Sequence, residues 1–95
     1  MKEEVKTMAR FLAAHTLPGY NEEKFMAMSK QMETVIPKGL SWKLTYCAFD
    51  HNKYFCEWDA PSKEALEQSF KQNNFPFDAI YPVKQFNVSK KAFEV

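Results

Sequence analysis

Two stretches with a two-residue period, Ser41 to Phe49 and Tyr54 to Asp59, flank the polar tetrapeptide Asp50-His51-Asn52-Lys53, and this pairing constrains the fold most. Alternation of this kind on either side of a polar turn makes an antiparallel hairpin. With His51-Asn52 as a two-residue tip, Phe49 faces Tyr54, Cys47 faces Cys56 and Thr45 faces Trp58 on one side of the sheet. The other side takes Trp42, Leu44, Tyr46, Ala48 and Phe55, with Glu57 and Asp59. Large aromatics fall on both sides, whereas a sheet that covers a core on one face and meets water on the other alternates apolar with polar.

The rest of the chain supplies the hairpin's neighbours. Residues 9–17 are compact and mostly apolar and end at the turn pair Pro18-Gly19, which makes them a first strand. Asn21 is placed to cap a helix over 22–36, where Phe25, Met28, Met32, Val35 and Ile36 recur at helical spacing before Pro37 and Gly39. Ser62 is placed to cap a second helix reaching Gln72, with Ala65, Leu66 and Phe70 on its apolar side. Phe75-Pro76-Phe77 is a stiff aromatic loop, and Ile80 to Val88 reads as a last strand whose Pro82 lacks a ladder donor and so belongs at a sheet edge. The order β-α-β-β-α-β is that of a ferredoxin-like α+β domain with a four-stranded antiparallel sheet, the unit of dimeric α/β barrels. The domain is expected over 9–88, behind a flexible extension at 1–8 and before a tail at 89–95 that is mobile unless Phe93 docks. In this topology residues 15–17, 46–56 and 75–81 gather at one edge of the sheet.

Composition narrows the partners. A chain of 95 residues makes one domain and buries only ~60–65% of its unfolded surface, so a second copy is a natural way to complete its core. The two apolar sheet faces point the same way, to a homodimer packed sheet to sheet. Net charge is +1, and Arg10 is the one arginine among thirteen basic residues, a poor endowment for phosphate or base recognition, so no nucleic-acid partner is expected. No apolar run approaches the ~18–20 residues that span a bilayer, so no membrane partner is expected either. Met1-Lys2-Glu3-Glu4-Val5-Lys6 mixes both charges and lacks the apolar core of a secretory leader, so a cytoplasmic location is expected.

The residues able to carry chemistry converge on the same edge. His15 ends the first strand, Asp50 and His51 lie in the hairpin turn, Tyr46, Cys47, Cys56 and Glu57 lie on the hairpin, and Asp78 follows the aromatic loop. Imidazole, thiol and carboxylate together suit a borderline divalent ion such as nickel or zinc, and His15, Cys56, Tyr46, Glu57 and Asp50 form the candidate ligand set. No dense motif such as C-x-x-C or H-E-x-x-H accompanies them. The plainer reading of His15 is a strand-end histidine satisfied by a backbone carbonyl, and that of His51 a solvated turn residue. If Cys47 and Cys56 are direct cross-strand neighbours, their Cα atoms lie ~4.5–5.5 Å apart, close enough for a disulfide or a paired thiol grip. Two free thiols in a reducing compartment are the plainer alternative. Glu57, on an aromatic face, reads either as a general base whose pKa is raised by desolvation or as a hydrogen-bond partner of Tyr46. Three readings follow: a metal-binding protein, a small-molecule-binding or enzymatic α/β barrel in which His15 or Glu57 moves a proton, and a non-catalytic interaction domain.

His15-Thr16-Leu17-Pro18 at the end of the first strand, Tyr46, and the run Tyr54-Phe55-Cys56-Glu57-Trp58-Asp59-Ala60-Pro61 resemble the domain of unknown function 4242. The similarity covers residues 10–88, and its most specific piece is the aromatic-Cys-x-x-acid-Ala-Pro segment. The resemblance implies small dimeric ferredoxin-like proteins, one branch of which binds nickel, and His15, Tyr46 and Cys56 carry over as matched positions. Cys47, His51 and the amino-terminal extension lie outside that pattern.

Overall fold

The computed structural model describes residues 8–94, so most of the extension expected at 1–8 lies outside the described residues. The chain runs β1 (Ala9–Thr16), α1 (Glu22–Glu33), β2 (Ser41–Ala48), a single 3₁₀ turn (Phe49–His51), β3 (Lys53–Ala60), α2 (Lys63–Gln72) and β4 (Ala79–Pro82), followed by a small hairpin of β5 (Gln85–Asn87) and β6 (Ala92–Glu94). The first four strands form one antiparallel sheet in the order β2-β3-β1-β4, the ferredoxin-like α+β arrangement.

Both helices start where a side chain meets an orphan amide. The Asn21 carboxamide accepts from the Lys24 N–H at 2.8 Å and the Ser62 hydroxyl from the Ala65 N–H at 3.1 Å, followed in the first turn by Glu22 and Glu23 in one helix and by Glu64 in the other. Helix α1 stops at Glu33 rather than Ile36. Thr34-Val35-Ile36 is a β-branched run, the residue before Pro37 is pushed out of the helical region, and the Thr34 hydroxyl takes the Gln31 carbonyl.

The core lies between sheet and helices. Phe11, Ala13, Cys56, Trp58, Ala60 and Ile80 from the sheet meet Leu66 and Phe70 of α2, with Ile36, Leu40, Trp42, Phe75 and Phe77 packed around them. Helix α1 buries no residue fully, and Met26 on it is well exposed. The other sheet face is open: Tyr46 is 65% exposed, Tyr81 54%, Leu44 40% and Phe55 37%. Pro82 ends β4, an edge strand, as its missing donor requires.

Three further expectations are corrected. First, the hairpin turn is not two residues long. Phe49, Asp50 and His51 make a 3₁₀ turn closed by Asn52 at φ +57°, a left-handed conformation that Asn tolerates, so Ala48 pairs with Lys53. The register therefore sits two residues from the expected one. Cys47 faces Tyr54 and Thr45 faces Cys56; the cysteines share a face but are not directly opposed, and both thiols are free. Second, Trp42 leaves the open face. The register shifts between Trp42 and Leu44, so Lys43 is an extra residue that turns Trp42 over to the core, where it stacks on Trp58 with ring centroids 5.8 Å apart and planes at 9°. Third, the last strand does not run to Val88. It ends at Pro82; the Val83 N–H still reaches the Arg10 carbonyl at 3.0 Å, and the chain then leaves the sheet to form the β5–β6 hairpin. The expected tail from 89 thus begins inside a turn, and Phe93 docks on Phe86.

Trp42 reaches its stacked position only through the bulge. Deleting Lys43 is expected to cost the same stability as Trp42→Ala, ~2–4 kcal/mol by urea unfolding, whereas Lys43→Ala stays within ~0.5 kcal/mol of the parent.

Candidate functional site

The edge expected to gather chemistry does so through backbone contacts. The Leu17 N–H donates to the Asn52 carbonyl at 2.9 Å and the Asp78 N–H to the Ala14 carbonyl at 2.7 Å, tying the end of β1 to the hairpin turn and to the loop before β4. On the rim, Lys53 Nζ donates to the Thr16 hydroxyl at 2.8 Å, and that hydroxyl donates to Asp78 Oδ2 at 2.5 Å.

His15 sits beneath this rim, fully buried. Its Nδ1 lies 2.7 Å from the Pro76 carbonyl, which only accepts, so Nδ1 carries the proton and donates. Burial holds the imidazole below its ordinary value, outweighing the upward pull of the Pro76 bond and of the Asp78 charge. The ring is therefore neutral near pH 7, with Nε2 as an acceptor that has no hydrogen-bond partner among the described residues. The rings of Phe70 and Phe75 pack against it at 5.2 and 4.9 Å.

Cys56 shares that face, diagonal to His15 across the β1–β3 ladder, where His15 pairs with Tyr54 and Ala13 with Cys56. Its sulfur accepts from the Thr45 hydroxyl at 3.1 Å, and Thr45 in turn accepts from Trp42 Nε1 at 2.8 Å. Burial pushes the thiol up to about 11 against the downward pull of these donors, so at neutral pH it is protonated. Cys47 is half-buried and is also raised, by burial and by the charge of Glu22.

The remaining candidates lie elsewhere. Tyr46 and Glu57 point to the open face, and Asp50 and His51 are exposed in the 3₁₀ turn. Glu57 is neither an isolated base nor a partner of Tyr46. Arg10 Nη1 pairs with it, while Arg10 Nε bonds Asp59 Oδ1 at 2.5 Å and Arg10 Nη1 also reaches Gln85 Oε1 at 3.0 Å. The expected five-residue ligand set is thus divided between two faces and a turn. Among the described residues, no three His, Cys, Asp or Glu side chains converge to hold a metal ion. Of the expected ligands, His15 is the one held as a ligating histidine would be. An imidazole whose other nitrogen is anchored on a carbonyl is how ligating histidines are oriented, and Cys56 is a protonated neighbour.

Alternation alone did not mark Tyr54 and Trp58 as unusual. Both are buried, yet the Tyr54 hydroxyl and Trp58 Nε1, like His15 Nε2, have no hydrogen-bond partner among the described residues. That they share one side of the sheet was legible; that this side is the buried one, with the rings of Phe25, Phe49 and Phe70 against them, was not.

The depressed His15 value sets a pH dependence. A group that stays neutral when folded contributes stability fully present above its unfolded value near 6.5 and lost as pH falls toward the folded value. Urea unfolding is expected to show stability falling between pH 7 and 5, with His15 adding a slope of at most ~1.4 kcal/mol per pH unit. His15→Asn keeps a donor for Pro76 but has no proton to gain, and removes that share of the slope.

Among the described residues no helix is long and apolar enough to cross a membrane. No curated protein and no solved structure matches the chain. A family model does, under the description of nickel responsive protein SCO4226-like rather than that of the domain of unknown function 4242, and it covers residues 11–83. That span runs from β1 past β4 and takes in His15, Tyr46, Cys56 and Glu57, so the chain belongs to the SCO4226-like nickel responsive family.

Proposed function

We propose that this chain is a small cytoplasmic protein of nickel response that meets a divalent transition ion at His15 and Cys56, and that it works as a homodimer joined through the open sheet faces. Membership of the nickel responsive family supports the choice of ion. The observation that carries the site is the buried Nε2 of His15, neutral, oriented by Pro76 and without a partner. Zinc shares the preference for nitrogen and sulfur donors and is the competing ion.

The donor set sets the character of the binding. One imidazole and one thiol are fewer than a closed site needs, and the thiol is held up to about 11, so an ion gains the sulfur only as a proton leaves. Affinity is then modest and climbs with pH. The rings of Phe70 and Phe75 must also give way before an ion reaches Nε2. Both properties suit a protein that answers an excess of metal rather than one that keeps a resident ion.

Native mass spectrometry and calorimetric titration of reduced protein with Ni²⁺, then Zn²⁺, test the reading. Apparent Ni²⁺ affinity is expected to rise ~10-fold per pH unit between pH 7 and 9, one proton being released per ion. Cys56→Ser should abolish that dependence and His15→Asn should abolish retention. Unchanged nickel stoichiometry in both variants overturns the site.

A further inference from the structure

The β5–β6 hairpin is hard to account for within one copy. Its strands are three residues each, and a two-stranded hairpin of that size is marginal in water without something to pack on. Its apolar side chains are nonetheless displayed: Phe86 is 48% exposed, Phe93 65% and Val88 73%. The two phenylalanines stack edge to face at 5.0 Å, and the turn between them is well built, with the Lys90 N–H donating to Asn87 Oδ1 at 2.9 Å and Lys91 at φ +54°. A defined hairpin therefore holds a pair of aromatic rings out toward solvent.

The hairpin is continuous with the open sheet face. Arg10 lies on that face with Glu57 and Asp59, and the same guanidinium holds Gln85 at the base of β5. Where the hairpin leaves the sheet, a cleft of about 480 Å³ opens, lined by Met8, Ala9, Arg10, Pro82, Val83 and Phe93.

The area argument names the occupant. Three strands of eight residues and a fourth of four, side by side, present a face of roughly 450 Å² at the usual strand spacing and rise. A stable interface buries ~800 Å² on each partner. Two sheet faces alone fall short, and the displayed aromatic pair lies where the missing area is needed. We infer that the β5–β6 hairpin is an arm that closes over the open sheet face of a second copy of this chain, Phe86 and Phe93 meeting apolar side chains such as Tyr46, Phe55 and Tyr81 there. Two-fold symmetry makes the embrace reciprocal. The inference rests on the face-to-face dimer proposed above, and the arm lies beyond the residues that the family model matches, which end at residue 83.

Sedimentation equilibrium of the full chain, with a benzophenone photo-crosslinker placed at position 93 in a mixture of ¹⁴N and ¹⁵N protein, tests it. The expected result is a dimer, mixed-isotope crosslinks from position 93 to β2–β4 of the other copy, and a dissociation constant raised at least ~10-fold by Phe86→Ser/Phe93→Ser at unchanged circular dichroism. A dimer that Tyr46→Arg dissociates but the double serine variant leaves intact, without mixed crosslinks, overturns the arm and keeps the sheet-face dimer. A monomer at all micromolar concentrations, or a dimer indifferent to Tyr46→Arg, overturns both.

Discussion

The β1–β3 ladder is the constraint on which the rest depends. Its eight residue pairs run without a break from Ala9↔Ala60 to Thr16↔Lys53, and because side chains alternate, this one register decides what lies inside. Phe11, Ala13 and His15 point to the helices together with Tyr54, Cys56, Trp58 and Ala60, while Arg10 and Glu57 are sent to the other face. A slip of one residue would bury the Arg10 network and expose Trp58. The fully buried alanines at 13 and 60 also leave room for α2 to bring Leu66 and Phe70 against Trp58.

That register creates a core with an unusual polar content. His15 supports the fold through Pro76, binding the end of β1 to the aromatic loop, yet its second nitrogen is unpartnered, as are the Tyr54 hydroxyl and the Trp58 indole. Natural interiors satisfy nearly all such groups, so three on one side of two paired strands, unpartnered among the described residues, single this region out. The structural and chemical readings of His15 therefore describe one arrangement: the bond that fixes the ring is also what leaves its other lone pair free.

Much of this was legible in the sequence because it rests on local signals. The caps at Asn21 and Ser62, the element order, the edge position of Pro82 and the convergence of residues 15–17 with the hairpin turn all follow from residue type and spacing. The misreadings share a cause. A 3₁₀ turn and a bulge each change how many residues occupy a connection without leaving a mark in the alternation, so Cys47 lost Cys56 as its opposite and Trp42 changed faces. The candidate ligands separated for a related reason: parity assigns Tyr46 and Glu57 to a face, but only the buried set fixes which face meets the helices. The ion pair that claims Glu57 joins residues 47 positions apart, beyond the reach of any local pattern.

The bulge at Lys43 has a consequence for how copies of this chain meet. It lies in β2, one outer strand of the sheet, and interrupts that strand's free ladder with an extra residue and a cation. The opposite outer strand, β4, is four residues long and ends in an imino acid. Neither border offers a long flat row of unpaired amides and carbonyls, so ribbon-like growth by lateral strand addition is discouraged on both sides. A sheet that cannot lengthen sideways is left with closed assemblies of few copies, and an apolar surface that would otherwise favour fibres becomes compatible with a discrete, finite particle.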